Sequence, residues 1–378
     1  MQSVVVLCEY TSLNGGERSF LATVEGLRAA RFELAVACPT EGPLVGTLQR
    51  KGIEHIPFTL HRRDGTRLSL SDARMQLAQI VREREPVLLH ANSVSMSRLA
   101  GPVVQQQGVP SIGHLRDIIR ISAAAIADLN RHTRLLAVSD ATRDWYVARG
   151  VHAAIVMTCY NGVDLTTFQP RPATGTLSTQ LNIPAQSILI GAIGQIGLRK
   201  GLEVVLAAAA RVVPQAPSVH FVIVGRRFSR KAESIEYEQQ LHTLAARPPL
   251  AGHIHFLGYQ DGMAHLLNEL TIVAHAAHQE PLGRVLLEAA ASGKAIIATD
   301  VGGTAEIFPR STHAAMPVPD GDPEAFATAI RTLIESPALR QSMARAARQR
   351  AVTMFDARAA ASRIAMHYHQ VGAPFSHF

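Results

Sequence analysis

The stretch Ile272-Val-Ala-His-Ala-Ala-His-Gln-Glu280-Pro-Leu-Gly-Arg-Val-Leu-Leu-Glu288-Ala-Ala-Ala-Ser-Gly293-Lys-Ala-Ile-Ile-Ala-Thr299 reads as strand, loop, helix and strand in one pass. Its ends, Ile272–His275 and Ala295–Thr299, are short apolar runs rich in isoleucine, of the kind buried on both faces of a sheet. Between them Val285-Leu-Leu-Glu-Ala-Ala-Ala is rich in helix formers. Pro281 suits the first turn of a helix starting there, and Gly293 suits its end. Two strands joined by a helix run parallel, because the crossover returns the chain to the edge it left.

The same rhythm extends in both directions. In the first half the strand candidates are Val4–Cys8, Leu34–Cys38, His55–Phe58, Val87–His90, Ser111–His114, Leu135–Ser139 and Ala154–Cys159. In the second they are Ile188–Gly194, His220–Gly225, His255–Leu257, Ile272–His275, Ala295–Thr299 and Met316–Val318. The fold class is therefore α/β, with two Rossmann-like doubly wound halves. A Pro-, Thr- and Ser-rich segment, Gln169–Pro184, predicts the boundary, giving domains over 1–175 and 185–352. A helical tail over 353–378 is amphipathic enough to pack back on the first domain.

Composition narrows the function classes. With 378 residues, 47% hydrophobic and 18% charged, the chain can bury two cores, which excludes a disordered or fibrous protein. The formal charge of +7 suits an anionic nucleotide or a membrane surface. No basic stripe interleaved with aromatics appears, so nucleic acid is not an expected partner. No run is long and apolar enough for a membrane span, and Met1-Gln-Ser has no charged region before a long apolar one. The expectation is a cytoplasmic protein, with peripheral membrane contact left open. Cys8, Cys38 and Cys159 stand singly in apolar runs and read as reduced core residues. Lysine occurs only at Lys51, Lys200, Lys231 and Lys294, the other basic residues being arginine, so each lysine is a place that kept a compact ammonium.

Ligands of open α/β sheets bind beyond the carboxyl ends of the strands, so the loops after strands carry the chemistry. After the first strand, Tyr10-Thr-Ser-Leu-Asn-Gly-Gly-Glu-Arg18 puts Gly15 and Gly16 at a helix start, where a phosphate can reach free N–H groups or where the chain simply turns. In Gly194-Gln-Ile-Gly-Leu-Arg-Lys-Gly201 the spacing of Gly191, Gly194 and Gly197 is wrong for a dinucleotide fingerprint, and no acid ends the next strand. Arg199 and Lys200 sit at a helix start that disfavours cations, which points to an anion there; the alternative is a solvated basic pair. Glu280 and Glu288 lie a little over two turns apart, so both carboxylates project to roughly one side. Asp300-Val-Gly-Gly-Thr-Ala-Glu306 adds a further Gly-Gly turn at the same sheet edge. The one DxD, Asp320-Gly-Asp322, is flanked by Pro319 and Pro323 and reads as a turn rather than a metal site.

Taken together, Glu280 and Glu288 with seven residues between them (an EX7E motif), the block through Glu306, the Lys200-Gly201 loop and Asn161-Gly-Val-Asp164 resemble the retaining glycosyltransferases of family 4, over nearly the whole chain. The resemblance implies the GT-B fold, two Rossmann-like domains facing a cleft, and a UDP- or GDP-sugar donor held mainly by the second domain. It implies that Glu280 contacts the sugar hydroxyls and Glu288 the ribose. Backbone N–H groups of Leu282 and Gly283, with Arg284 beside them, meet the sugar and phosphate. Lys200 neutralises the diphosphate. Gly15, Gly16, Gly225, Arg226, Gly258 and Tyr259 complete the donor contacts. Gln195 stands where the family often has arginine, so the phosphate clamp is one cation short unless Arg199 substitutes. His114, in Gly113-His-Leu-Arg-Asp117, matches a histidine near the reacting carbon, the alternative being a packed strand-end histidine.

The resemblance further implies retention through front-face attack, the leaving phosphate taking the acceptor's proton, with no cofactor and no metal; Glu280 as a covalent nucleophile is the less favoured route. The acceptor is expected to be a glycan, lipid or small molecule chosen by first-domain loops, among them Arg116 and Asp117, with Arg62, Arg63, Arg67 and Arg120 nearby in sequence. Two other readings remain: a non-catalytic protein of the same shape that binds nucleotide-sugar or glycan, and another GT-B enzyme such as an epimerase or phosphorylase.

Overall fold

Runs such as Val4-Val-Val-Leu7 are inaccessible along their whole length, which requires a sheet covered on both faces. The computed structural model describes residues 2–62 and 64–372 and places thirteen strands among them in two parallel sheets. The first holds β1 (Gln2–Leu7), β2 (Phe32–Cys38), β3 (Glu54–Pro57), β4 (Leu88–Ala91), β5 (Ser111–Leu115), β6 (Arg134–Ala137) and β7 (Val156–Thr158), in the order β3-β2-β1-β4-β5-β6-β7. The second holds β8 (Ile188–Ile193), β9 (Val219–Val224), β10 (Ile254–Gly258), β11 (Ile272–His275), β12 (Ala295–Thr299) and β13 (Met316–Val318), in the order β10-β9-β8-β11-β12-β13. Each order reverses once, between β1 and β4 and between β8 and β11. Loops leaving two such strands diverge to opposite faces and open a crevice between them.

The chain divides into two compact units, one running to Gly162 and resuming at Ala357, the other Val163–Asp356. The boundary therefore falls before the expected linker at Gln169–Pro184. That segment is ordered on the second unit because two side chains supply its acceptors. The Glu269 carboxylate accepts from Thr174 N at 2.6 Å and Thr174 Oγ1 at 2.8 Å, and Asn268 Oδ1 accepts from Arg171 N at 3.0 Å. A short helix, Thr176–Gln180, follows within it. The last helix, Ala357–Gly372, belongs to the first unit: Ile364, Ala365, Tyr368 and Val371 share a core with Val4, Val6, Phe32 and Leu88. Residues 373–378 of the expected tail lie outside the described residues.

Strand ends shift from the sequence reading by one or two residues. The largest change is at Ala154–Cys159, where Ala153–Ile155 forms a 3-10 turn and only Val156–Thr158 pairs. Cys8, Cys38 and Cys159 are unpaired and buried; burial raises all three thiols, Cys38 to about 12, so they stay protonated and inert.

Candidate active site

At the reversal of the second sheet, the loop after β8 meets the loop after β11. The first passes through a 3-10 turn, Leu198–Lys200, and Gly201 at φ +60° before entering the helix Leu202–Val212. A Cβ on Gly201 would lie 1.9 Å from the Ala276 carbonyl oxygen, so only glycine lets the two loops approach this closely. This contact brings Lys200 over Glu280, and its Nζ donates to Glu280 Oε2 at 2.5 Å. His275, at the end of β11, meets the same oxygen with Nε2 at 2.9 Å. Behind the loop, Gly303 N donates to the Glu280 carbonyl at 2.9 Å and Thr299 Oγ1 to the Ala277 carbonyl at 2.5 Å. The Gly-Gly turn noted after β12 thus grips the backbone of Glu280.

The charges follow from this packing. Glu280 is 6% exposed. Burial alone would raise its carboxyl, but the Lys200 ammonium and the His275 hydrogen bond outweigh that and hold it well below the usual carboxylate range. Burial lowers His275, with the Glu280 hydrogen bond opposing and Lys200 assisting, so the ring is neutral and donates Nε2–H to the carboxylate. The site is an ionised carboxylate between an ammonium and an imidazole. His275 was not selected from sequence; its signal was its place at a strand end, five residues before Glu280.

The helix after this loop begins at Arg284, not at Pro281. Gly283 adopts φ +97° at the cap, where a Cβ would sit 2.7 Å from Leu286 Cδ1, and this left-handed residue separates Pro281 from the helix. One turn on, Glu288 is 6% exposed and its Oε1 accepts from Arg284 Nε at 2.7 Å. Arg284 Nη1 is buried without a hydrogen-bond partner. Leu282 is buried.

Neighbouring strand ends supply a second wall. Gly225 N donates to the Gly258 carbonyl at 2.8 Å, and a Cβ on Gly225 would fall 1.8 Å from Gly194 O. Arg226 lies 4.9 Å from the Phe228 ring and 5.3 Å from the Tyr259 ring, both rings being half exposed, so this edge offers flat aromatic faces beside a cation. Gln195 and Arg199 are exposed on the β8 loop. The DxD residues are committed elsewhere: Asp322 Oδ1 caps the helix Pro323–Glu335, and Asp320 Oδ1 lies 2.6 Å from His278 Nδ1. His278 also holds Glu203 at 2.6 Å and donates its backbone N–H to the Arg199 carbonyl at 2.9 Å, a link not anticipated from sequence. Among the described residues no group of His, Cys, Asp and Glu is arranged to hold a metal ion, and no helix is long and apolar enough to cross a membrane.

The first unit carries the remaining expected residues at the carboxyl edge of its own sheet. Gly15 and Gly16 open the helix Gly15–Leu21. Gly15 faces open space, whereas a Cβ on Gly16 would lie 3.2 Å from Arg116 Cδ. Arg116, expected to face an acceptor, spends its guanidinium on the protein: Nη2 donates to Asn92 Oδ1 at 2.8 Å and Nη1 to Asn161 Oδ1 at 2.8 Å. The Asn-Gly-Val-Asp element is thereby tied to the loops after β4 and β5. Asp117 is exposed, and its carbonyl accepts from Tyr146 Oη at 3.0 Å. His114 is 1% exposed near the end of β5. Arg62 pairs with Asp72 at 3.1 Å, Arg67 and Arg120 are exposed, and Arg63 lies outside the described residues.

Two family models match. Residues 13–167 match Glycosyltransferase Family 4, and residues 174–350 match Glycosyl transferases group 1. The chain is 27% identical over 207 residues to spore coat protein SA of Bacillus subtilis (strain 168), covering 52% of this chain and 54% of that protein. It is 25% identical over 311 residues to the D-inositol 3-phosphate glycosyltransferase of Kineococcus radiotolerans, covering 71% and 68%. The chain thus spans about half the length of the first relative and two thirds of the second. The crystal structure of Anabaena HepE in complex with UDP-glucose superposes with a TM-score of 0.86 at 23% identity, covering 98% of this chain and 100% of that one. The chain thus matches a Glycosyltransferase Family 4 domain over most of its first unit and a Glycosyl transferases group 1 domain over most of its second, and it has the two-sheet GT-B fold.

Proposed function

We propose that the protein transfers a sugar from a nucleotide-sugar donor to a hydroxyl acceptor, with retention of anomeric configuration and without a metal ion. The observation that carries the reading is the Lys200–Glu280–His275 cluster at the reversal of the second sheet. Breaking the bond between the anomeric carbon and the diphosphate oxygen leaves positive charge on the sugar and negative charge on the leaving group. An ionised, buried carboxylate beside the sugar binds its hydroxyls and favours the first charge, and an ammonium with protons to share favours the second. Lys200 uses one proton on Glu280 and has others for phosphate oxygens. His275 keeps Glu280 ionised when the ammonium is drawn toward the phosphate. Glu288, fixed by Arg284, is assigned to the ribose, and the exposed faces of Phe228 and Tyr259 to the neighbourhood of the base.

The commitment of Asp320 to His278 and of Asp322 to a helix cap supports carrying the phosphate charge on Lys200 and backbone N–H groups instead. Two comparisons add support: a relative is named for glycosyl transfer to inositol 3-phosphate, and a structural neighbour is titled with UDP-glucose. The acceptor is proposed as a hydroxyl of a glycan, lipid or small molecule. The test is nucleotide release by the purified chain from a panel of UDP-, GDP- and ADP-sugars, followed by the anomeric configuration of the product by NMR. Release from none of them, with and without acceptor mixtures, would overturn the reading.

A further inference from the structure

The loop that carries Glu280 is fastened to the loop that carries Lys200 by two backbone contacts and by one side chain that depends on a proton. Gly201 lets the Ala276 carbonyl approach, and His278 N donates to the Arg199 carbonyl at 2.9 Å. The side chain is that of His278. Its Nε2 lies 2.6 Å from Glu203 Oε1, at the start of the helix Leu202–Val212, and its Nδ1 lies 2.6 Å from Asp320 Oδ1, in the turn after β13. Glu203 is itself held from behind. Tyr237, on the helix Ala232–Ala245, donates its phenol proton to Glu203 Oε2 and accepts from Leu202 N at 3.0 Å. Burial and the neighbouring carboxylate raise the phenol, so it stays protonated.

Counting protons decides the state of the ring. A neutral imidazole has one N–H and one lone pair. Between two carboxylates at 2.6 Å a neutral ring would set its lone pair against one of them, whereas an imidazolium donates to both. Burial lowers His278, but the hydrogen bonds to Glu203 and Asp320 outweigh it and raise the ring above the ordinary histidine value. The β8 loop contributes Arg199 and Lys200, the first meeting His278 through its carbonyl and the second paired with Glu280. The His278 side chain is 33% exposed, so it exchanges protons with solvent and the link can open with pH.

We propose that His278 is a positioning residue whose imidazolium clasps the Glu280 loop to the start of the helix Leu202–Val212 and to the turn after β13, and that loss of its proton loosens Glu280 from Lys200 and weakens nucleotide binding. The nucleotide part rests on the transferase reading. The sign follows from the raised ring: the clasp is complete below about 6.5, the unfolded histidine value, and is lost as pH rises through the higher folded one. The two backbone contacts do not titrate, so the loops slacken without coming apart. Asp320 thereby has a role as one jaw of the clasp.

The experiment uses the full chain and its His278→Gln and Asp320→Asn variants. Hydrogen exchange read by mass spectrometry follows the peptide over 276–283, corrected for intrinsic rate, from about pH 6 to about pH 9. Wild-type protection is expected to fall about fivefold across that range, the low end of coupling for a ring open to solvent. His278→Gln should show the loosened value at every pH. Asp320→Asn should move the fall to lower pH, because one carboxylate fewer favours the imidazolium; a merely structural loss would lower protection without moving it. In calorimetric titrations with UDP and GDP, affinity should drop about fivefold more in the wild type than in His278→Gln between the same limits. An exchange profile unchanged by His278→Gln or unmoved by Asp320→Asn overturns the proposal, as does nucleotide binding with the same pH dependence in both chains. Binding of neither nucleotide, with no release from the donor panel, overturns the transferase reading, and the exchange profile still decides the clasp.

Discussion

Replacing Lys200 by methionine separates what the buried ion pair does for stability from what it does for chemistry. The side chains of Lys200 and Glu280 are 17% and 8% exposed, and their charged atoms are 2.5 Å apart. Removing one partner of a buried pair costs about 3–5 kcal/mol, because the other charge stays desolvated. The lower end applies here, since His275 still donates to Glu280 at 2.9 Å. At about 2–4 °C per kcal/mol for a unit of roughly 200 residues, a loss of about 3 kcal/mol lowers Tm by about 6–12 °C. Adding Glu280→Gln removes the stranded charge, so the Lys200→Met/Glu280→Gln double variant should recover most of that loss. Catalysis should not recover. Each single variant is expected to lose at least about a hundredfold in turnover, and the double variant to stay as inactive as either. Calorimetric melts and nucleotide release on the same four proteins make the comparison. A single variant with near-wild-type turnover, or a double variant as unstable as Lys200→Met, would refute the reasoning.

Glu288→Ala should raise donor KM far more than it lowers kcat, because ribose contacts are equal in ground and transition states; an unchanged KM in initial-rate assays counts against that role. Activity should survive EDTA, and Asp322→Ala should cost only its helix cap, about 1 kcal/mol by denaturant titration; loss on chelation restored by Mn²⁺ or Mg²⁺ would show the reverse. Stability should fall as pH drops below about 6.5, the unfolded histidine value, because burial depresses His90 to about 3 and His132 to about 4 and the unfolded chain alone takes up those protons. At about 1.4 kcal/mol per pH unit for each ring, the two together lose about 4 kcal/mol by pH 5, and a melting temperature flat between pH 7 and 5 would contradict it.

The parts of this structure legible in the sequence are those with a local cause. Parallel strands buried on both faces are written as unbroken apolar runs, and Glu280, Pro281 and Gly283 mark a strand-to-helix loop at any tertiary setting. What stayed hidden depends on partners far along the chain. The segment Gln169–Pro184 has linker composition, yet Asn268 and Glu269 order part of it, and nothing in its own residues announces those acceptors. Arg116 reads as a surface cation until Asn92 and Asn161 are seen to take its protons. His275 and His278 look alike in sequence, but one is buried on Glu280 and the other bridges Glu203 and Asp320.

The lysine at position 200 ties these levels together. In a chain that otherwise favours arginine, Lys51 and Lys231 make loose surface pairs at 3.6 Å and 3.8 Å, which hold little free energy. Lys294 donates to the Asn268 and Leu270 carbonyls, and burial lowers it to about 8. Lys200 alone meets a buried carboxylate. A guanidinium there would face Glu280 as a fork and spend two donors on it, turning a shared proton into a closed pair. An ammonium rotates about its stem, which passes 3.7 Å from where a Cβ on Gly194 would be, and keeps donors free for a second anion. Gly201 is part of the same device as the lysine: without a Cβ it lets the β8 loop close on the Ala276 carbonyl, which sets a compact cation against Glu280 in a contact strong enough to position it that leaves protons for the phosphate.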